Sequence, residues 1–161
     1  MNIKTADLYD EYEESLQVCE PIFQHYGGHR SFCGPIETLK CYEDNSLVGE
    51  LLRQPGEGRV LVVDGGGSLR CAMLGDRLAQ HAVDNQWAGV LMFGCVRDSV
   101  DIGGMPIGVM ALAATPRKSI KKGIGEIGSI IKFAGVTFNP GEWLYADEDG
   151  IVVLPTPATE S

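Results

Sequence analysis

One pattern limits what this chain can fold into more than any other. Residues 59–64 read Arg-Val-Leu-Val-Val-Asp, a nearly continuous β-branched and aliphatic run of the kind that forms a strand covered on both faces. Residues 77–86 carry helix formers with apolar positions at 78, 79, 82 and 83, the stripe of an amphipathic helix. Residues 88–93 are a second apolar strand. Strand, helix and strand in this order predict a βαβ unit with parallel strands and a right-handed crossover.

Such a unit decides where its polar residues meet. The helix begins where the chain has left the carboxyl end of the first strand, so Gly75 and Asp76 lie at that edge, and Arg97 and Asp98 follow the carboxyl end of the second strand. Open α/β sheets bind ligands at this edge, and a helix N-terminus there offers free amides to an anion. A small carboxylate is expected on the amides of Gly75, Asp76, Arg77 and Leu78, gripped by the planar fork of Arg97. Asp98 is a hard oxygen ligand for a divalent cation. Each residue also has a plainer role. Asp76 alone is a helix cap, and the glycines at 65–67 alone are a sharp strand exit, because no Gly-Lys-Ser follows to make a phosphate loop. Arg97 and Asp98 are adjacent, so in a strand they point oppositely. The constellation carries the reading, not any one member.

Asp76, twenty intervening residues and then Arg97-Asp98 form a D-x20-R-D signature, in which the chain resembles the class II aldolases that cleave 4-hydroxy-4-methyl-2-oxoglutarate. The segments Val-Val-Asp-Gly-Gly-Gly-Ser at 62–68, Gly-Cys-Val-Arg-Asp at 94–98, Phe-Ala-Gly-Val-Thr at 133–137 and Ala-Asp-Glu-Asp-Gly-Ile-Val-Val-Leu-Pro at 146–155 are similar to the related regulator of ribonuclease activity A. The resemblance covers nearly the whole chain. It implies an α/β fold, a swivelling β/β/α sandwich with a mixed parallel and antiparallel sheet, as a single domain over residues 1–161. It also implies a homotrimer with sites near subunit boundaries.

For the aldolase branch the resemblance implies a divalent cation, Mg2+ or Mn2+, held by Asp98 partly through water. Arg97 and Asp76 are then the catalytic residues, Arg97 offsetting developing charge and Asp76 orienting a water for proton transfer. The implied reactions are cleavage of the substrate to two pyruvates and decarboxylation of oxaloacetate through the same enolate. For the regulator branch it implies a non-catalytic protein that binds an RNA-degrading enzyme by protein contact. Length and the segments Tyr-Asp-Glu-Tyr and Gly-Gly-His-Arg-Ser-Phe are closer to that branch. The aldolases carry a C-terminal extension whose acidic residue completes a neighbouring subunit's site, whereas this chain ends at Ser161. Retention of the Arg97-Asp98 pair, which some regulators lack, points back to the aldolases.

Composition narrows the classes. With 161 residues and 44% apolar content the chain suits one substantial core. No apolar run reaches the length of a membrane span, and the N-terminus lacks the basic and apolar regions of a signal peptide, so a soluble, cytoplasmic protein is expected. Five cysteines without CxxC or metal-ligand spacing fit a reducing compartment, most of them as small core residues. A net charge of −9 opposes direct nucleic-acid binding. The one basic cluster, residues 117–122, reads as a solvated loop or helix end. No lysine lies in an apolar stretch near the proposed edge, which favours a metal over a Schiff base, and His25, His29 and His81 lack metal-binding spacing.

Along the rest of the chain, residues 5–16 predict an exposed helix opened by a capping Thr5, and 18–41 short strands with tight connections, including 36–41. Asp44-Asn45-Ser46 caps a helix over 47–54 with Leu47, Leu51 and Leu52 on one face, ended by the turn at 55–58. After Asp98 come a turn at 103–106, a strand at 107–114, a loop punctuated by Gly123, Gly125 and Gly128, a strand at 130–138 and a turn at 139–142. Residues 143–146 and 151–154 flank Asp147-Glu148-Asp149-Gly150 as a hairpin, whose turn carboxylates are expected to be solvated.

Overall fold

The computed structural model describes residues 2–159; residues 1, 160 and 161 of the expected domain lie outside the described residues. In chain order the elements are α1 (Thr5–Tyr12), β1 (Gln17–Val18), β2 (Gln24–His25), β3 (Phe32–Lys40), α2 (Ser46–Leu52), β4 (Val60–Asp64), β5 (Ala72–Leu74) and α3 (Asp76–Asp84), and then β6 (Gly89–Val96), α4 (Ser99–Gly103) and β7 (Gly108–Ala114). The final part holds β8 (Glu126–Ile127), β9 (Ile131–Phe133), β10 (Val136–Phe138), β11 (Trp143–Asp147) and β12 (Gly150–Leu154). One large sheet runs β1-β12-β11-β3-β4-β6-β7-β2, with β5 added to β6 and β8 to β3, while β9 and β10 form a separate antiparallel pair. The centre, β3-β4-β6-β7, is parallel, and β11, β12, β1 and β2 join antiparallel.

The two-residue period of β4 explains why its sequence has no polar face. Leu61 and Val63 enter the core shared with α2, α3 and α4, whereas Val60 and Val62 enter the opposite core. All four are fully buried, and each such side chain removed from water contributes about 1.5–3 kcal/mol. On that second side the β9–β10 pair lies over the sheet. Its Phe133 stacks on Phe93 with ring centroids 4.7 Å apart and meets Phe138 at 4.6 Å. The result is an α/β sandwich with helices on one face and a small β layer on the other, as the family resemblance implies.

The βαβ unit forms as expected. Ala79 and Ala82 of α3 are fully buried, with Leu78 and Val83 packed at the rim. Other expectations need correction. The first helix stops at Tyr12, four residues short of 16, and Thr5 is not its cap: its amide and hydroxyl both donate to the Asp147 carboxylate, at 2.8 and 2.6 Å. Residues 130–138 are two strands reversed at Ala134-Gly135, both at positive φ, rather than one. β5 and α4 are additional elements that the turn-rich sequence around them hides.

The hairpin turn is not simply solvated either. Burial would raise the Asp147 pKa, but hydrogen bonds from Thr5, Asp149 and Gly150 outweigh it and hold the carboxyl below its ordinary value. Glu148 takes a bidentate ion pair from Arg30. Residues 117–122 form the solvated loop expected, all exposed but Ser119, and the loop is anchored to the body of the fold. Asp44, 3% exposed, accepts the amides of Lys122 and Ile124 at 2.9 and 3.1 Å as well as the Ser46 amide and hydroxyl.

Candidate active site

The carboxyl edge of the parallel strands gathers the expected residues. β5 is the element that brings the two halves together: it pairs parallel to β6, and the amide of Arg97 donates to Leu74 O at 2.9 Å. Gly75 follows at once, extended at φ −126 and ψ −170, and α3 starts at Asp76. Strand β6 ends at Val96, so Arg97 and Asp98 emerge beside the first turn of α3.

Adjacent residues in a strand would diverge, yet here they converge. Asp98 takes the left-handed conformation, φ 56 and ψ 40, and turns the chain from β6 into α4. Aspartate is among the few non-glycine residues that adopt this region readily. The turn brings Asp98 Oδ2 to 4.0 Å from Arg97 Nε, with both side chains partly exposed. It also carries Oδ2 to the helix N-terminus, where the amide of Asp76 donates to it at 3.0 Å. Gly75 is required by this approach: a Cβ there would lie 2.9 Å from Asp98 Oδ2 and 3.4 Å from Arg97 Cγ.

A carboxylate therefore does occupy the N-terminus of α3, but it is the chain's own. Of the four amides expected to hold a ligand, that of Asp76 serves Asp98 and that of Arg77 donates to Asp76 Oδ1 at 2.8 Å. Gly75 and Leu78 flank them. The edge thus combines two carboxylates, one guanidinium and a positive helix end, an arrangement suited to an anionic ligand and a cation together.

The donor set fits a cation of the magnesium type. Such ions are held by one or two carboxylates and complete their shells with water and substrate oxygens. Asp98, with Asp76 beside it, is such a pair, and among the described residues no group of three or more His, Cys, Asp or Glu forms a closed cage. The triple glycine contributes differently. Gly66 and Gly67 have positive φ, 70 and 71, and Cβ atoms there would strike the rings of Tyr42 and Phe93, at 2.6 and 3.1 Å. Their role is the plain strand exit, packed under the chain's own aromatics.

A family model described as RraA-like, Aldolase/RraA, matches residues 5–153. The chain belongs to this family. Among relatives of the Aldolase/RraA family, a protein of Laribacter hongkongensis named "Putative 4-hydroxy-4-methyl-2-oxoglutarate aldolase" is 56% identical over 98% of this chain and 99% of its own length. A protein of Aromatoleum aromaticum with the same name is 57% identical over 95% and 96%. Among solved structures, the RNA-processing inhibitor RraA from Thermus thermophilis superposes with a TM-score of 0.95 at 47% identity, covering 99% of this chain and 96% of that one. A Geobacillus kaustophilus protein, titled S-adenosylmethionine: 2-dimethylmenaquinone methyltransferase, gives 0.95 at 52% identity, covering 99% and 100%. Near-identical folds carry names for different activities, so the chemistry of the edge has to discriminate.

Proposed function

We propose that this chain is a divalent-metal-dependent lyase for small 2-oxo acids, cleaving 4-hydroxy-4-methyl-2-oxoglutarate to two pyruvates and decarboxylating oxaloacetate through a pyruvate enolate. The names of its aldolase relatives support a lyase. The observation that carries the finer reading is the left-handed turn at Asp98, which sets a carboxylate and the Arg97 guanidinium side by side at the N-terminus of α3.

Asp98 would hold the cation, with Asp76 adjacent. A Mg2+ or Mn2+ ion bound there supplies Lewis-acid polarisation of the 2-oxo group. Arg97 binds the substrate carboxylate and, as the carbon–carbon bond breaks and its electron pair moves to the enolate oxygen, balances the new negative charge. With the amides of Asp76 and Arg77 taken by Asp98 and Asp76, those of Gly75 and Leu78 orient the carboxylate end. Asp76 positions a water that takes the proton of the substrate's 4-hydroxyl as the carbon–carbon bond breaks and returns it to the enolate carbon, giving two pyruvates. The working unit is a homotrimer. Exposed Ile120, Ile124, Ile127 and Ile130, close together in sequence, support an apolar contact between copies.

A second reading has its own support. The likeness to the Thermus RNA-processing inhibitor extends over nearly all of both chains, and a protein regulator of a ribonuclease would act by surface contact with no need of the edge. Titration of Mn2+ followed by paramagnetic resonance, alongside oxaloacetate turnover, separates the readings. The lyase account expects one bound Mn2+ per chain in the wild type and loss of both binding and turnover in Asp98→Asn, which keeps a side chain tolerant of positive φ. Full Mn2+ binding by that variant removes Asp98 from the metal.

A further inference from the structure

Strand β5 is short for the task it has. Its three residues pair with β6 through a shifted register, Ala72 opposite Cys95 and Leu74 opposite Val96, so that two steps along β5 match one along β6. A bulge of this kind disrupts the ladder locally, yet Leu74 O has to meet the amide of Arg97, at 2.9 Å. The chain that delivers β5 is no stiffer. The loop before it opens with Gly65, Gly66 and Gly67, and glycine loses more conformational freedom on ordering than any other residue. Contacts outside the β5–β6 ladder must hold both in place.

Glu43 is bonded to the chain on both flanks of β5. On the loop side its carboxylate accepts the Ser68 hydroxyl at 2.6 Å and takes Arg70 in a two-pronged pair, from Nε and Nη2 at 2.7 Å each. The Ser68 hydroxyl in turn accepts the Arg70 amide at 3.2 Å. On the side of β5 away from β6, Arg117 O accepts the Ala72 amide at 2.7 Å and Lys118 bridges to Ala72, and two residues later the Ile120 amide donates to Glu43 O at 3.1 Å. The backbone of Glu43 is itself left-handed, φ 54, a conformation that a glutamate keeps only where its surroundings over-determine it. Arg70 is 68% exposed, so the pair adds little to global stability and its effect is local order.

We propose that Glu43 is a positioning residue for the candidate active edge. By tying the glycine loop on one flank and the 117–120 segment on the other, it fixes β5 along β6 and so, through Leu74 O, the backbone from which Arg97 projects. Glu43 touches no reacting atom in this role and acts through Arg97. Its kinetic consequence rests on the lyase reading; its ordering of β5 does not.

The test joins amide hydrogen exchange to a double-variant cycle on Glu43→Gln, which keeps the size of the side chain and removes its charge. The amides of Ala72 and Arg97 are expected to exchange about tenfold faster in the variant, with those of β4 unchanged. In kinetics, kcat/KM for oxaloacetate is expected to fall about fivefold in the wild-type background and less than about twofold in the Arg97→Lys background, because a residue that acts through Arg97 loses its effect when the fork is gone. Arg70→Gln removes the other half of the pair and is expected to give the same pattern, which keeps the test open should Glu43→Gln not fold. Unchanged exchange at Ala72 and Arg97 overturns the proposal. Equally faster exchange in β4 overturns it too, since the loss is then one of global stability, as does a fall in kcat/KM that is the same in both backgrounds. A wild type without turnover defeats the lyase reading, and the exchange result alone then decides whether Glu43 orders the edge.

Discussion

Arg97 is where catalysis and mere surface charge separate. Its side chain is partly exposed and lies 4.0 Å from Asp98 Oδ2, a distance at which an ion pair contributes at most about 1 kcal/mol to folding. On the proposed reading its planar fork serves the ligand instead. Lysine keeps the charge but loses bidentate geometry, so Arg97→Lys is expected to cost about 2–4 kcal/mol of transition-state stabilisation, by analogy with oxyanion donors. Thermal stability should stay within about 0.5 kcal/mol of wild type. The measurement is kcat/KM for oxaloacetate beside inhibition of a ribonuclease. Loss of the first with the second intact assigns the two activities to different surfaces; an unchanged kcat/KM contradicts the role given to Arg97.

The same residues show how far sequence reasoning reaches. Edge placement of Gly75, Asp76, Arg97 and Asp98 follows from strand and helix periodicity alone. Their convergence does not, since it depends on a left-handed φ at Asp98, which periodicity cannot encode. The Asp76 amide is likewise taken by Asp98 through a contact between residues 22 positions apart. Spacing flagged the pair but not the direction of its side chains.

At the scale of elements, β4, α3 and β6 follow from their apolar patterns because those patterns are long and regular. Two short elements do not. β5 spans three residues and exists through its pairing with β6, a tertiary interaction. α4 spans five and is started by the turn at Asp98. The loop at 117–124 is a third case. Its ordering comes from Asp44, more than seventy residues earlier in the chain, whose carboxylate gathers two of its amides.

That contact predicts an acid-sensitive loop. Burial alone would raise the Asp44 pKa, but hydrogen bonds from Ser46, Ile124 and Lys122 dominate and lower it from 3.8 to about 2. A depressed carboxylate pKa contributes stability that is fully present above the unfolded value and is lost as pH falls through the folded one. The contribution should therefore disappear between about pH 4 and pH 2. Asp44→Ala, which leaves three amides and the Ser46 hydroxyl without their acceptor, is expected to lower stability at neutral pH by about 2–4 kcal/mol. Urea denaturation from pH 2 to pH 7 checks both, and a variant whose stability gap persists at pH 2 contradicts the assignment.

For the whole molecule, the edge is open: two carboxylates and one arginine, with further ligands to come from water, substrate or a neighbouring copy. The family is shown by sequence, and the fold agrees with it. Assembly is the remaining expectation at this scale. Light scattering should give three times the 17.4 kDa chain mass, and Ile124→Glu/Ile127→Glu should weaken the assembly by placing like charges on the contact. A monomer mass at micromolar concentration contradicts the trimer.

The central claim is that this edge performs metal-dependent cleavage of a 2-oxo acid. Its most direct test is pyruvate release by the purified wild-type protein from 4-hydroxy-4-methyl-2-oxoglutarate and from oxaloacetate, with Mg2+ or Mn2+, then with excess chelator, then with metal restored. The account predicts pyruvate from both substrates, loss of release under chelator and recovery on adding back the ion. No release above the metal-only background with any divalent ion, while a ribonuclease is still inhibited, would contradict it and leave the binding protein.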